Sequence, residues 1–277
     1  MAAGDALMMD SIDWSRPWFR SAGIAHNRLE QLSDWRKAVN QQSERQQLKN
    51  VTGQPIRFVE QHQLAPEMSY EVFIHQTGGV PTRDNLHDFF NALVWLVFPR
   101  IKSQLNALQA GEILRNGVAQ SRGVMRDAAT LFDENAALLV VRNSDQGLKL
   151  VNALHAHAWH QLFVEHRAEF MQCCDVWLFG HALMEKLIKP YKAITAHAWV
   201  VQVNDEYFLD TDEQRCQWLD RTIAVELQRC RTEQFHPRRF MPLPVLGVPG
   251  WWPQQDVHFY ADNKVFRPGP SPTPAQR

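Results

Sequence analysis

The stretch from Gly78 to Pro99, GGVPTRDNLHDFFNALVWLVFP, constrains the chain most, because a glycine pair, a proline-stiffened turn and a two-faced helix follow one another in it. Its polar residues fall within roughly 100° of one another on a helical wheel. They are Asp84, His87, Asp88, Asn91 and Trp95. The opposite face carries Leu86, Phe89, Phe90, Leu93, Leu96 and Val97. We expect Thr82 or Asp84 to cap the helix.

The composition of this polar stripe suggests a pocket wall. Exposed helix faces are usually filled with long, soluble helix formers such as Lys, Glu, Gln and Arg. Here the stripe has short His, Asp and Asn side chains and a tryptophan instead. An ordinary exposed face remains the alternative, since amphipathic helices are common.

A second polar face lies in the stretch 121–141, SRGVMRDAATLFDENAALLVV, which is predicted to be one helix. One side of that helix would carry Arg126, Asp127, Thr130, Asp133 and Glu134. This pattern is typical either of a carboxylate cluster oriented by an arginine or of a solvated face with local charge pairs.

The third polar face is in FGHALMEKLIKPYK, residues 179–192, where His181, Glu185 and Lys189 follow at helical-turn spacing and Pro190 ends the helix. Glu185 and Lys189 in this order are common helix support. His181 with Glu185 is a candidate for metal binding or acid–base chemistry.

The remaining patterns favour a mainly α fold, a single-domain multi-helix globule over residues 11–267. Helices are expected over 148–170, 213–234 and 71–77, the last ended by Gly78. Over the apolar run 194–203 a helix is preferred to a strand, and a short strand is expected over 56–59. Residues 40–53 should form a mobile surface connection. An irregular belt rich in Pro and Trp should follow from Met241. Residues 1–10 are predicted to be an N-terminal tail and residues 268–277 a disordered C-terminal tail.

Charge and cysteine usage limit the functional classes. The net charge is −1 and the pI about 6.9, so no nucleic-acid partner is expected. The four cysteines form no CxxC motif and suit a reducing compartment. The N-terminus lacks the features of a signal peptide, and no apolar run is long enough to span a membrane. We therefore expect a cytoplasmic protein without a membrane partner.

Four blocks of sequence carry a family resemblance: YEVFIHQTGGVPTRDNLHDFFNALVWLVFP, RGVMRDAATLFDEN, LFGHALMEKLIKPYK, and PLPVLGVPGWW with FYADNKVFRP. Together they resemble the bacterial family catalogued as domain of unknown function 3025, from about Trp14 to Pro268. The resemblance implies a single-domain architecture. It implies no activity, and no residue role is transferred from it.

Well-known catalytic signatures are missing from the sequence. It contains no GxSxG, GxxxxGK[ST], GxGxxG or HExxH motif. His87-Asp88 resembles the dipeptide of helical HD phosphohydrolases, but adjacent helical residues diverge by about 100°, so the likeness carries little weight.

One hypothesis is a metal-assisted or acid–base hydrolase with a pocket where the three polar faces meet. Arg126 or Lys189 would bind a small anionic substrate. The candidate catalytic residues are His87, Asp88, Asn91, Arg126, Asp127, Glu134, His181 and Glu185. The candidate ligands of a divalent metal ion are His87, Asp88, Asp127, Asp133 and His181.

The alternative hypothesis is a non-catalytic scaffold or protein-interaction domain. In that case the same polar residues form a buried hydrogen-bond network that fixes helix packing. The two hypotheses differ in whether the polar faces converge on a place that a substrate can reach.

Overall fold

The computed structural model describes Met9 and residues 11–30, 32–116, 123–230 and 235–269. Its α-helices are α1 Arg20–His26, α2 Trp35–Arg45, α3 Tyr70–Thr77, α4 Leu86–Val97, α5 Pro99–Asn116, α6 Val124–Asn135, α7 Asp145–His155, α8 Arg167–Cys173, α9 His181–Lys186, α10 Asp212–Arg229 and α11 Val257–Tyr260. A π-helical turn spans Gln161–Glu165. Short 3₁₀ turns are Pro17–Phe19, Leu32–Asp34, Gln61–Gln63, Asp205–Leu209, Pro237–Arg239 and Val245–Gly247.

The strands of the described residues form two sheets. They are β1 Arg57–Glu60, β2 Gly79–Thr82, β3 Ala136–Arg142, β4 Cys174–Leu178, β5 Thr195–Val203 and β6 Met241–Pro244. Strands β1 and β2 pair in parallel, with Arg57 opposite Gly79. The second sheet has the order β4-β3-β5-β6, and β5 pairs with β6 in antiparallel register.

The prediction of a mainly α fold is therefore wrong, and the chain is a helix-rich mixed α/β protein. The predicted helix over 121–141 ends at Asn135 within the described residues, and β3 continues from Ala136. Strand β5 occupies most of the stretch predicted as a helix over 194–203. Buried strands lack the polar alternation that marks a strand in sequence, so short apolar runs are easily assigned to helices.

Other boundaries also differ from prediction. Residues 40–53 are helical as far as Arg45, and buried Asn50 donates hydrogen bonds to the carbonyls of Ile74 and His75. The helix predicted over 148–170 is divided by the π-helical turn. Within the predicted belt, β6 is a regular strand, because an edge strand tolerates proline. Helix α10 ends at Arg229, and residues 231–234 lie outside the described part, as do 270–277 and most of 1–10.

The chain forms two compact units, each continuous in space but not in sequence. The helical unit comprises Met1–Ala136, Leu178–Ile188 and Leu209–Arg239. The sheet unit comprises Ala137–Trp177, Lys189–Phe208 and Phe240–Arg277. A single domain over 11–267 remains a prediction.

Capping side chains and a glycine fix the ends of helices α3 and α4. Ser69 caps the start of α3, and Gly78 ends it in the left-handed conformation with φ 73°. A Cβ at Gly78 would lie 2.2 Å from the Pro55 carbonyl oxygen, so only glycine fits. Asn85 caps α4 by accepting the N–H of Asp88, in place of the predicted Thr82 or Asp84. Asp84 instead pairs with Arg36.

Helix α4 is buried almost all round. Every one of its residues except His87 is buried, including the polar Asp88 and Asn91 and the indole of Trp95. The alternative of an ordinary exposed face is therefore wrong for this helix. Its polar stripe faces other parts of the helical unit rather than solvent.

Candidate functional site

Two histidines from distant parts of the sequence meet in the helical unit. His87 Nε2 on α4 lies 3.1 Å from His181 Nε2 at the start of α9. His87 Nδ1 is 3.0 Å from Glu185 Oε2, and His181 Nδ1 is 2.8 Å from the Asp133 carbonyl oxygen. These contacts form one continuous chain, which we call the histidine relay: Glu185, His87, His181 and the Asp133 carbonyl.

The acceptors in the relay determine where its protons are. A carbonyl oxygen only accepts, so the hydrogen between His181 and Asp133 belongs to His181 Nδ1. Burial lowers the pKa of His181 to about 4, so this ring is neutral and its Nε2 accepts a hydrogen bond. His87 must then donate from Nε2 to His181 and from Nδ1 to Glu185.

Exposure differs along the relay. The His181 side chain is 5% exposed, whereas His87 and Glu185 are 32% and 41% exposed. The relay thus runs from the interior of the helical unit to its surface. Solvent therefore reaches the relay at the Glu185 and His87 end.

A buried lysine lies next to the relay. Lys102 of α5 is 6% exposed in its side chain, and its Nζ donates to Asp133 Oδ1 at 2.5 Å and to Asn91 Oδ1 at 2.7 Å. The same Nζ lies 5.5 Å from the ring centroid of Trp95. Although burial alone would raise it, the pKa of Asp133 is lowered, since the Lys102 ammonium favours the carboxylate. Lys102 and Asp133 therefore form a charged pair.

The polar contacts continue to Tyr70. The Asn91 amide donates to the Tyr70 hydroxyl at 3.2 Å, while its carbonyl oxygen accepts from Lys102. Burial raises the pKa of Tyr70 far above its ordinary value, so the phenol keeps its proton. We call Lys102, Asp133, Asn91 and Tyr70 the lysine network.

The family of the chain follows from a match over residues 56–270 to the family model described as "Protein of unknown function (DUF3025)". The chain belongs to this family. Searches of curated proteins and of solved structures gave no match. The matched span of the DUF3025 chain includes every residue of the histidine relay and of the lysine network. The family description assigns them no role.

The DUF3025 structure brings some of the predicted site residues together. His87, His181 and Glu185 meet in the relay, and Asp133 and Asn91 adjoin it through Lys102. Three others make no hydrogen bond or ion pair with the relay or the lysine network in the described part of the chain. These are Arg126, Asp127 and Glu134 of α6. Lys189 is exposed and lies beyond α9, which ends at Lys186, so it is not on the predicted helical turn.

Asp88 has a different partner from the histidines. Arg83 binds its carboxylate through Nε at 3.0 Å and Nη2 at 3.1 Å, and the Arg83 backbone N–H adds a third bond at 2.7 Å. This bidentate arrangement fixes the turn between β2 and α4. The pKa of Arg83 is raised, chiefly by its hydrogen bond to Asp88 and further by Tyr70 and Glu185.

The predicted metal ligands are not assembled as one set. Across the described residues, no group of three His, Cys, Asp or Glu side chains is arranged to hold a metal ion. Asp88 is bound by Arg83, and Asp127 is apart from the histidines.

Sequence reasoning missed Lys102, Tyr70 and Arg83. A signal for Lys102 was present, because Lys102, Asn106 and Gln109 recur at helical spacing along α5, and all three are buried. A polar stripe on a helix flanked by buried apolar residues is unusual enough to indicate an internal network. Tyr70 and Arg83 carry no such signal, since their roles depend on how α3 and α4 meet.

Proposed function

We propose that the helical unit carries the active centre of an acid–base hydrolase, and that the histidine relay is its proton-transfer device. The observation that supports this most is the difference between the two ends of the relay. Its inner end is fixed on the Asp133 carbonyl and its outer end is reachable from solvent. A buried histidine of lowered pKa that is hydrogen-bonded to a partly exposed histidine and carboxylate is typical of functional sites.

Glu185 is the group that would meet the reactants. Its Oε2 accepts from His87, and its other oxygen has no hydrogen-bond partner among the described residues. That oxygen can take a proton from water while the water oxygen attacks an electrophilic carbonyl or phosphoryl centre. Glu185 then passes this proton to the leaving group, while the hydrogen bond from His87 holds the carboxylate in place, so the protons balance over one turnover.

A small anionic substrate fits the surroundings of the outer end. Arg83 is 58% exposed and uses Nε and Nη2 on Asp88, which leaves Nη1 without a partner among the described residues. In this proposal Arg83 takes the role that the sequence had suggested for Arg126 or Lys189. All four cysteines are free, which supports a reducing, cytoplasmic setting. None of the described helices is long and apolar enough to cross a membrane.

The test is a screen of ester, amide and phosphoester substrates with the wild-type protein, Glu185→Gln and His87→Gln. Loss of the proton-transfer group should reduce kcat by about 10²–10⁴-fold. Glu44→Gln, at an exposed position of α2, is the matched control and should retain full activity. Undiminished turnover by Glu185→Gln would reject the hydrolase. So would the absence of turnover by the wild-type protein on every substrate class.

The lysine network favours a second candidate, the non-catalytic scaffold. The Lys102 ammonium is bound by Asp133 and Asn91 and covered by Trp95, so it is fully committed to protein groups. If the scaffold is correct, Glu185→Gln and Asp133→Asn should both lower the melting temperature. The hydrolase instead predicts that Glu185→Gln retains its melting temperature and loses turnover.

A further inference from the structure

We propose a second binding site in the helical unit, for a sugar phosphate or another phosphorylated polyol. The site is a groove of about 690 Å³. Residues 46–51 after α2, the first turns of α5 and one face of α10 line it, and we call it the α5 groove. This volume lies in the range of small-molecule sites. None of the residues of the histidine relay or the lysine network lines it, so it is a separate site.

The charges in the α5 groove favour an anion. Its charged lining is Arg28, Lys49, Arg100, Arg221, Glu213 and Asp220. Glu213 lies 4.0 Å from Arg28. The Asp220 carboxylate accepts the backbone N–H groups of Arg100 and Ile101. Among the described residues, no carboxylate forms an ion pair with the side chains of Lys49, Arg100 or Arg221, which leaves three cations facing one groove.

Asp220 keeps the anion-binding face in place. It is 4% exposed and holds the start of α5 by accepting its first backbone N–H groups at 2.9 to 3.2 Å. Burial raises its pKa to about 7, so near neutral pH much of its negative charge is lost. The acid therefore opposes a bound anion less than an ordinary exposed carboxylate would.

The uncharged part of the lining indicates the rest of the ligand. Five glutamine side chains contribute carboxamides, namely Gln46, Gln47, Gln104, Gln217 and Gln228. A carboxamide both donates and accepts hydrogen bonds, as a row of hydroxyl groups requires. The described lining contains no Phe, Tyr or Trp, so there is no aromatic face on which a nucleobase could stack. Polyol phosphates therefore fit the groove better than nucleotides do.

The experiment is isothermal titration calorimetry of the full chain with glucose 6-phosphate, glucose and inorganic phosphate. We expect glucose 6-phosphate to bind at least tenfold more tightly than either of the others. Arg100→Gln and Arg221→Gln should each weaken this binding about tenfold, because each removes one cation from the groove. Melting temperatures serve to verify that both variants are folded.

Arg115→Gln is the matched control. Arg115 lies on the same helix, is 62% exposed and does not line the groove, so its removal should leave binding unchanged. Equal affinity for glucose and glucose 6-phosphate would overturn the anion site, as would equal weakening by Arg115→Gln and Arg100→Gln. Inorganic phosphate binding as tightly as glucose 6-phosphate would overturn the polyol assignment. None of these outcomes depends on the hydrolase.

Discussion

His87 and His181 face each other through their Nε2 atoms at 3.1 Å, while each ring holds its Nδ1 against a fixed acceptor. The two outer contacts use the Nδ1 hydrogens, so only one further hydrogen is needed between the rings. The two rings are thereby joined through one shared hydrogen, and a substitution on either ring should change the hydrogen bonding of the other.

The buried ring should make stability depend on acidity. Burial lowers the pKa of His181 from 6.5 to about 4. Between these values the unfolded chain binds a proton that the folded chain does not, so stability is lost as pH falls from 6.5 towards 4. His181→Gln removes this dependence. When the pH is lowered from about 7.5 to 5, the free energy of unfolding in urea should fall by on the order of 2 kcal/mol more for the wild type than for the variant.

The matched control for this titration is His62→Gln, because His62 is 75% exposed in its side chain. It should follow wild type at every pH. If His181→Gln showed the same acid sensitivity as wild type, the assignment of a neutral, buried His181 would be wrong.

Lys102→Met should be strongly destabilising. The change leaves the Asp133 carboxylate and the Asn91 carbonyl without their shared donor. Removal of one partner from a buried ion pair typically costs about 3–5 kcal/mol. Chemical denaturation measures the loss, and the double variant Lys102→Met with Asp133→Asn should recover part of it.

A surface pair calibrates that measurement. Arg45 and Glu30 are both more than half exposed, so Arg45→Met should change stability by less than about 1 kcal/mol. If Lys102→Met had an equally small effect, the lysine network would contribute nothing to the stability of the helical unit.

Asp220→Asn should reveal a pH dependence of the opposite sign. Burial raises the pKa of Asp220 from 3.8 to about 7, so in that interval the folded chain holds a proton that the unfolded chain lacks. This contribution to stability is present at low pH and is lost as pH rises from about 4 to 7. When the pH is raised from about 5 to 8, the free energy of unfolding of the wild type should fall by on the order of 2 kcal/mol relative to that of Asp220→Asn.

Asp212→Asn on the same helix controls for the loss of a carboxylate. Asp212 is 44% exposed and pairs with Arg20 at the surface. Its variant should show the wild-type slope. If the stability of Asp220→Asn changed with pH in the same way as that of the wild type, the raised pKa of a buried Asp220 carboxyl would be wrong.

Gly180→Ala should disturb the start of α9. A Cβ at this position would lie 2.5 Å from the Glu134 carbonyl oxygen and 2.6 Å from two backbone nitrogens. The backbone has to move, and overpacking of this kind costs roughly 1–3 kcal/mol. Since His181 follows directly, the histidine ring signals in NMR spectra should shift as well.

Gly23→Ala is the contrasting change. Gly23 lies within α1, and a Cβ there meets no atom within 4 Å. Alanine is the better helix former, so this variant should be about 0.5–1 kcal/mol more stable. A similar loss of stability in both variants would show that close approach at Gly180 is unimportant.

The elements that sequence predicted well are those with both a periodic pattern and an end signal. Helix α3 has an apolar face and ends at Gly78, and α10 has a long amphipathic repeat with a capping box at Thr211 and Gln214. Strand β3 is buried at six of its seven residues and so shows no alternation, and the alternation of β5 is interrupted where Ala198 and Trp199 are both buried. Their assignment depends on burial by neighbours far away in the sequence, which periodicity does not report.

The candidate site divides in the same way. The helical spacing of His87, His181 and Glu185 made them candidate site residues. The spacing alone gave no reason to expect α4 and α9 to pack against each other. Lys102 was missed because a lysine is normally expected to reach solvent, although Lys102, Asn106 and Gln109 recur on one face of α5. Its role is visible only once Asp133 and Asn91 are found within hydrogen-bond reach.

Strand β6 has a consequence for the sheet unit in concentrated solution. It lies at one edge of its sheet, and it contains Pro242 and Pro244, opposite His197 and Thr195. Proline has no N–H and is tolerated where its nitrogen points away from the neighbouring strand. The outward side of β6 thus lacks two of the donors that an additional strand would need. This edge of the sheet therefore resists β-addition by another copy of the chain.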